Sequence, residues 1–428
     1  MWPESPVGVE PLILGSFQFT IVGDPSPEAW SRVHRYASWM HQVSVDAWSI
    51  LGEETFLKLH LNAPDGRWFP ALEHLSWCFT ESNHPYIGLF FSPYLKRISI
   101  SVPWSWSNSK VPHNILPAIA STISTLPAPA LQHVSVDLDC HGVPLAYFKE
   151  SLSSVVLRCG PPLTEFFSLT LLSDAATNHL IHLPHLRAWH TKYPPPNYSS
   201  SSLPLVFPAL REFTVGGGAG RGWISLFERL GNRLSSTQAT TPLSGMRESL
   251  EYLSIGNFPD SIIYPSFTYA IQIFRNLVGL NVTVACRDGQ CIFKLNNDNV
   301  AELAMALPRL KSLLLGYPCD KNTCATTVAC LLPISVHCAR LQSLEIHLNT
   351  TNIVEDLKNI SEDPQFQELR SLQKCTLSWL DVHRVPLTLD KSDFGRVARG
   401  MVDIFPNLER CDGWGGLNWE IGVVQRVV

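Results

Sequence analysis

The chain has 428 residues, of which 45% are hydrophobic and 16% charged, with a formal net charge of −5 and a pI of about 6.3. This composition is too apolar for a disordered chain, and the length suits either several ordinary domains or one elongated repeat array. The acidic balance and the lack of any lysine or arginine run exclude the charge pattern of a nucleic-acid-binding protein, so we expect no nucleic-acid partner.

The N-terminus has neither a basic start nor an apolar core of signal-peptide length, and no later apolar run reaches the length of a membrane span. Eleven cysteines are scattered along the chain without a Cys-x-x-Cys pair. That usage is typical of reduced thiols in the cytoplasm or nucleus rather than of a disulfide framework. We therefore expect a soluble, cytoplasmic or nuclear protein with no membrane partner.

One short phrase recurs along the chain, with apolar residues at positions i, i+3 and i+5. It is clearest in Leu310-x-x-Leu313-x-Leu315 and again in Leu341-x-x-Leu344-x-Ile346. In an extended strand, residues i+3 and i+5 point to one face, while i+2, i+4 and i+6 point to the other. The phrase is typical of the strand in a leucine-rich repeat.

In chain order, the aligned copies begin at Met40, Leu72, Leu95, Leu131, Leu186, Leu210, Leu250, Leu277, Leu310, Leu341, Leu372 and, in degraded form, Leu408. Their spacing of about 23 to 40 residues is longer than usual, so the additional residues should form loops or longer helices. In the last two copies, Cys375 and Cys411 take the position that leucine normally holds, as small apolar residues.

The stretch from Leu163 to Leu171 is an irregular copy of the phrase. It fits only with one inserted residue, and that alignment predicts Phe167, Leu169 and Leu171 to point inward. In many of the other copies a proline lies two residues before the phrase and ends the preceding helix, because its φ is fixed and it has no N–H donor.

Amphipathic segments alternate with these strands. In the clearest of them, residues 298–307, Asp298 is predicted to cap the helix and Pro308 to end it. Its apolar stripe consists of Val300, Leu303, Ala304 and Leu307. Other helices are predicted at residues 117–126, 145–157, 222–230, 264–274, 325–337, 353–360 and 392–405.

Alternating strands and helices predict an α/β fold, a leucine-rich-repeat solenoid. It should be a right-handed horseshoe of strand–helix units with a parallel β-sheet on its concave side. We expect residues 28–428 to form this irregular array with a C-terminal cap. Residues 1–27 are expected to be an N-terminal cap or a remnant segment.

The glycine-rich stretch 216–222 has the context of a phosphate loop but not its pattern. No glycines fall at i, i+2 and i+5, and Trp223 stands where a Walker lysine would follow, so a flexible turn is the better interpretation. Motifs of hydrolases, zinc proteases and kinases are also missing. We predict no catalytic residue and no cofactor, although a hydrolase or transferase with sites distant in sequence stays an alternative.

Two groups of potential metal ligands stand out, namely His179, His182, His185 and His190, and Cys319, Cys324, Cys330 and Cys338. The histidine spacing follows the repeat, and the cysteine gaps are unlike those of zinc ribbons. We predict no metal site.

The outward strand positions are the best candidate binding surface, because they spread polar side chains along a ribbon rather than gathering them in one depression. On this predicted concave face, the candidate protein-binding residues are His74, Arg97, His133, Asp137, His190, Glu212, Tyr252, Asn281, Glu345, His347 and Lys374. Trp104 and Trp106 follow a predicted strand in a polar loop, where they are either interface anchors or an edge cap.

Three stretches resemble a known family, the F-box, leucine-rich-repeat proteins of mushroom-forming fungi. Trp30 to Ala37, followed by Val43 to Val45, resembles the segment that opens their repeat array. Asp298 to Leu315 resembles a characteristic helix and strand, and Phe405 to Leu408 followed by Trp414 resembles their ending. The similarity covers about residues 28–420.

The resemblance implies a non-enzymatic scaffold that recognises substrates for a cullin-type ubiquitin ligase. Family members carry an F-box ahead of the repeats, which docks the ligase adaptor. Residues 1–27 are too few for this unit, so no adaptor-binding residue is carried over, and an adaptor is an expected partner only with an F-box upstream. The alternative is a leucine-rich-repeat inhibitor or assembly platform unrelated to ubiquitination.

Overall fold

The computed structural model describes residues 23, 25–46, 53–63, 66–81, 83–103, 115–138, 143–144, 146–192, 207–216, 244–256, 271–283, 295–316, 324–364, 368, 375–385, 391–414 and 417–420. The chain divides into two compact units, Met1–Leu163 (unit 1) and Thr164–Val428 (unit 2). Both units alternate β-strands with helices. The division of the chain into residues 1–27 and 28–428 stays a prediction.

The described part of unit 1 contains four strands that pair in chain order and run parallel. The strands are β1 Gln42–Val45, β2 His74–Cys78, β3 Arg97–Ser101 and β4 His133–Asp137. Its helices are α1 Pro27–Ala37, α2 Glu53–Leu61, α3 Leu116–Ser124 and α4 Lys149–Arg158, with 3-10 turns at His84–Phe90 and Ala128–Ala130.

Unit 2 contains strands β5 to β13 in one parallel series, with β14 antiparallel to β13. The strands are β5 Glu165–Ser168, β6 Ala188–Thr191, β7 Glu212–Val215, β8 Tyr252–Ile255, β9 Gly279–Val282, β10 Ser312–Leu315, β11 Ser343–Ile346, β12 Trp379–Val385, β13 Arg410–Trp414 and β14 Leu417–Glu420. Its helices are α5 Asp174–Ile181, α6 Ser244–Ser249, α7 Asn297–Ala306, α8 Leu331–His337, α9 Ile353–Glu362 and α10 Lys391–Ile404, with a 3-10 turn at Val328–Cys330.

The predicted strands and their inward residues are confirmed for most copies of the phrase. The i+3 residues pair side by side across strands, as Leu313 does with both Leu280 and Leu344. Leu313 is 2% exposed and Leu344 is fully buried. The parallel pairing of strands that alternate with helices establishes the α/β class, and within each unit the alternate side chains of successive strands make an apolar layer.

The same backbone contact marks the start of successive strands. The carbonyl of Glu73 accepts hydrogen bonds from the N–H groups of Lys96 at 2.8 Å and Arg97 at 2.9 Å. The same two hydrogen bonds, from the residue just before the next strand and from its first residue, recur along the chain. The accepting carbonyls are those of His41, Glu73 and Lys96 in unit 1, and of Thr164, Arg187, Arg211, Glu251, Val278, Lys311, Gln342 and Ser378 in unit 2. This repeated contact holds neighbouring strands in the same register, whatever the length of chain between them.

Helix α7 was predicted correctly except for its cap. Asn296 is the N-cap and exchanges hydrogen bonds with Asn299 in a capping box, while Asp298 lies in the first turn. Asparagine is a strong N-cap because its side-chain oxygen accepts from the free N–H groups of the first turn. The next residue, Asn297, also ties the helix to the following repeat through Thr327, at 2.8 and 3.0 Å.

Predicted helices within residues 117–126, 145–157, 325–337, 353–360 and 392–405 overlap observed helices. The predicted segment 222–230 and residues 264–270 lie outside the described residues. None of the described helices combines the length and the apolar character needed to cross a membrane.

The prediction that the stretch from Leu163 to Leu171 contains an inserted residue and points Phe167 inward was wrong. Strand β5 needs no inserted residue, since Leu163 and Phe166 are fully buried at positions i and i+3. Ser168 fills position i+5 and is also buried, with its hydroxyl 3.3 Å from the carbonyl oxygen of Thr170. Phe167 is therefore an outward residue, and the small buried serine is what concealed the phrase.

The copy predicted to begin at Leu372 was placed five residues too early. The strand is β12, and its phrase is Leu377-x-x-Leu380-x-Val382, in which all three apolar residues are fully buried. Leu380 pairs with Leu344 on one side and with Cys411 on the other. Cys375 is buried, as predicted, but it precedes the strand.

The described cysteines are free thiols, and all of them are buried: Cys78, Cys159, Cys324, Cys330, Cys338, Cys375 and Cys411. Burial raises the pKa of the Cys338 thiol to about 12. A thiol with such a pKa stays protonated at neutral pH and packs as a small apolar group. Cys319 lies outside the described residues.

Candidate functional site

The candidate site is the outward face of the sheet in each unit, which we call its polar face. It consists of two rows, because positions i+2 and i+4 of each phrase align across neighbouring strands. In unit 1 the first row is Gln42, His74, Arg97 and His133, and the second row is Ser44, Ser76, Ser99 and Ser135. The i+3 residues lie between the two rows and point inward, and those of β2 to β4, namely Leu75, Ile98 and Val134, are buried.

The first row of unit 1 contains one arginine and two histidines beside Gln42. The Arg97 guanidinium lies 3.3 Å from Nε2 of His133. Burial, followed by the charge of Arg97, lowers the pKa of His74, so its imidazole is neutral at pH 7. Just before these strands, the Lys96 ammonium is 2.8 Å from the Glu73 carboxylate, and that bond lowers the pKa of Glu73.

The opposite ends of the unit 1 strands carry carboxylates. Asp46 follows β1, and Asp137 is the last residue of β4. Between them, Cys78 and Ser101 pair across β2 and β3. The polar face of unit 1 is therefore polarised along its strands, with basic residues where the strands begin, hydroxyl groups in the middle and carboxylates where the outer strands end.

The two rows of unit 2 have a different composition. The first row is Glu165, Ala188, Glu212, Tyr252, Gly279, Ser312, Ser343, Trp379 and Arg410, and the second is Phe167, His190, Thr214, Ser254, Asn281, Leu314, Glu345, Asp381 and Asp412. His190 contacts both neighbouring strands, with its ring 6.0 Å from that of Phe167 and Nε2 3.7 Å from Glu212.

Tyr252 is the exposed aromatic residue at the middle of this face, with 47% of its surface accessible. Its ring lies across Gly279 of the next strand, where a Cβ in place of the glycine hydrogen would come within 2.6 Å of Cδ1. Glycine is therefore required for the ring to lie flat on the sheet. The neighbouring Asn281 presents a buried Oδ1.

Three carboxylates are adjacent in the second row of unit 2, since Glu345 pairs with Asp381 and Asp381 with Asp412. Asp412 accepts hydrogen bonds from Nε1 of Trp379 at 2.8 Å and from Nε of Arg410 at 3.0 Å. Burial, and then the charge of Asp381, raises the pKa of the Glu345 carboxyl. This end of the face is acidic and half-buried.

Most of the predicted site residues lie where the sequence placed them. His74, Arg97, His133, Asp137, His190, Glu212, Tyr252, Asn281 and Glu345 are outward residues of described strands, four in unit 1 and five in unit 2. Lys374, Trp104 and Trp106 lie outside the described residues. The role of these side chains in binding stays a prediction.

The prediction that His347 lies on the polar face was wrong, because this side chain is fully buried. Strand β11 ends at Ile346, so alternation no longer applies to the next residue. Gly316, with φ of +105°, lies beside it, and a Cβ there would be 2.7 Å from Cβ of His347. Only glycine adopts that φ readily and leaves room for the ring.

Sequence reasoning missed Phe167, Trp379, Asp381, Arg410 and Asp412. The first was assigned inward because Ser168 was not accepted as a core residue. Trp379 and Asp381 were lost when β12 was placed five residues early, although Leu377-x-x-Leu380-x-Val382 is present in the sequence.

A separate depression of about 570 Å³ lies on unit 1, lined in part by Trp30, His34 and Lys58. Its polar groups are engaged within the chain, since Nε2 of His34 lies 3.0 Å from the carbonyl oxygen of Asn62. The Lys58 ammonium donates to the carbonyl of Gly23 at 2.9 Å and pairs with Glu54 at 2.8 Å. These contacts give the depression a structural role at the start of the array.

Within the described ranges, no three histidine, cysteine, aspartate or glutamate side chains lie close enough together to hold a metal ion. Among the histidines considered as ligands, His182 bonds through Nδ1 to the carbonyl oxygen of Asn178 at 2.7 Å, and His190 belongs to the polar face.

No protein-family model matches the chain. Nor does its sequence match a curated protein.

Proposed function

We propose that this chain is a leucine-rich-repeat scaffold that binds a protein partner on the polar faces of its units. The main support is the pair of aligned outward rows, which continue over four strands of unit 1 and nine strands of unit 2. Repeat proteins use such extended surfaces for macromolecular recognition. Under this proposal the sheet lies on the concave side of a right-handed solenoid.

The chemistry of the two rows favours a protein over a small molecule. A small-molecule site gathers a few polar groups in an apolar pocket. Here, neighbouring strands lie about 4.8 Å apart, so hydrogen-bonding and charged groups are spread over tens of ångströms. The exposed Tyr252 adds the kind of aromatic anchor that interfaces favour.

Within this function, we place the chain as a substrate receptor of a cullin-type ubiquitin ligase. That placement rests on the resemblance of Trp30 to Ala37, Asp298 to Leu315 and Phe405 to Trp414 to the fungal family. The adaptor contact would come from an F-box joined to the repeats. An inhibitor or assembly platform would use the same polar faces without any ligase subunit.

Affinity capture with matched variants tests the proposal. The face variant combines Glu212→Lys with Tyr252→Ala, both exposed on the polar face of unit 2. The control combines Glu302→Lys with Met305→Ala, both exposed on helix α7. We expect the wild type and the control to recover the same protein partner and the face variant to lose it.

If both variants still recover the partner, the proposal that the polar face binds it is contradicted. Ligase subunits among the captured proteins support the receptor role. A face-dependent partner recovered without ligase subunits would instead identify an inhibitor or platform. Circular dichroism of both variants checks that each is folded.

A further inference from the structure

The first row of unit 1 places basic side chains on three adjacent strands. His74 pairs with Arg97 across β2 and β3, and Arg97 with His133 across β3 and β4. The guanidinium is exposed and lies within 3.3 Å of the His133 ring. Arginine has only donors, and a neutral histidine ring still offers one N–H donor, so such a row is complementary to acceptor groups that carry negative charge.

The second row supplies neutral donors beside these cations. Ser76 and Ser99 pair with each other directly below His74 and Arg97 along the strands. The carboxylates of Asp46 and Asp137 lie at the far ends of the outer strands. An anionic chain that crosses the strands near their beginnings therefore meets the Arg97 guanidinium, two imidazoles and hydroxyl groups. It stays away from Asp46 and Asp137, and the nearby Glu73 carboxylate is paired with Lys96 at 2.8 Å.

The spacing of the row determines the kind of anion. Three side chains on adjacent strands span two strand spacings, about 10 Å in total. A single phosphate group is much smaller than this span, whereas alternate residues of an extended peptide point to the same side about 6.6 Å apart. Two acidic side chains at i and i+2 would therefore lie over different members of the row.

We propose that the first row of unit 1 docks an extended, acidic segment of the protein partner, in which aspartate or glutamate occupies alternate positions. This rests on the proposed function, and it assigns a partner chemistry to one part of that surface. Arg97 holds one carboxylate directly, and His74 or His133 holds the next.

The interaction should strengthen as pH falls from about 8 to about 6, because an approaching carboxylate opposes the Arg97 charge beside His74 and favours the imidazolium form of His74. His74 faces Arg97, His133, Glu73 and Lys96. The charges at the opposite ends of the strands are Asp46 and Asp137. Carboxylates of a peptide stay ionised over this range, so the change in affinity reports the protonation of His74.

The test uses a fluorescent peptide in which glutamate alternates with threonine, and fluorescence anisotropy with the full chain. We expect saturable binding, about fivefold tighter at pH 6 than at pH 8, and weakening with salt. Arg97→Gln should weaken binding about fivefold or more. Arg211→Gln makes the same charge change beside β7 of unit 2 and should leave binding unchanged.

Three results would overturn the inference: no binding of the glutamate peptide, equal binding of a peptide with glutamine in place of glutamate, or equal weakening by Arg97→Gln and Arg211→Gln. Tighter binding of a peptide with one phosphothreonine and no glutamate would show that the row prefers a phosphate group, and it would overturn the proposal of an acidic segment. These results leave the broader proposal intact if the captured partner is still lost with Glu212→Lys and Tyr252→Ala.

Discussion

The two units build their polar faces on the same backbone pattern but differ in the charged residues that they carry. In unit 1 the first row runs through His74, Arg97 and His133. In unit 2 the second row ends in Glu345, Asp381 and Asp412. The shared pattern comes from backbone hydrogen bonds and inward apolar residues, neither of which involves the outward side chains. The repeat can therefore keep its structure while its surface chemistry changes from one unit to the other.

The difference also concerns how the charges are held. Arg97 in unit 1 is exposed, and its charge is available to a partner. In unit 2, Asp412 is 7% exposed and is bonded to Trp379 and Arg410 on neighbouring positions. Solvated charges mainly steer and orient a partner, whereas half-buried charges with internal partners also affect the stability of the protein.

The largest expected effect tests the inward and outward assignment on which the comparison depends. Leu344→Asn removes fully buried apolar packing and buries an amide, so it should lower the free energy of unfolding by about 2 to 5 kcal/mol. Its neighbour Glu345 is the matched control, and Glu345→Gln should change stability far less. Urea unfolding measures both, and equal losses would show that alternation does not sort these side chains.

A smaller effect on stability is expected at the aromatic centre of the polar face of unit 2, a feature that the rows of unit 1 lack. A Cβ at Gly279 would come within 2.6 Å of Tyr252, so Gly279→Ala should push the ring off the sheet. A double-mutant cycle with Tyr252→Ala, in which urea unfolding measures the free energy of unfolding of each variant, should give a coupling free energy of about 0.5 to 1 kcal/mol. Additive effects of the two substitutions would mean that the ring does not depend on the glycine.

The smallest effects are opposite pH dependences in the two units. The pKa of His74 is lowered in the folded protein, so this residue contributes stability above its unfolded pKa of about 6.5 that is lost as pH falls. The pKa of Glu345 is raised, so its contribution is present below about 4.5 and is lost as pH rises.

Unfolding measured from about pH 8 to pH 4 checks both signs. His74→Gln should reduce the loss of stability below about pH 6.5, and Glu345→Gln should stabilise the protein slightly at neutral pH but not at about pH 4. Identical pH profiles of stability for the wild type and both variants would contradict the prediction that His74 and Glu345 make opposite contributions to the pH dependence.

Several features of the fold could be predicted because they depend on neighbours in sequence. Leu313 and Leu344 were assigned inward from the i, i+3, i+5 spacing alone, and both are buried. The wrong strand assignments occurred where one residue lay in a place that its side chain does not usually take. Ser168 is a polar residue in the core, and Cys375 precedes its strand rather than lying within it.

The sequence by itself determined where most strands lie and which side chains enter the core, because alternation along a strand is a local, period-two property. Only the tertiary structure decided which outward residues become neighbours. Glu345, Asp381 and Asp412 meet because three strands separated by long connections align in one register. His347 is buried beyond the end of its strand, beside Gly316, whose φ of +105° the spacing of the sequence does not reveal. These outcomes depend on pairing across the chain, which no short pattern contains.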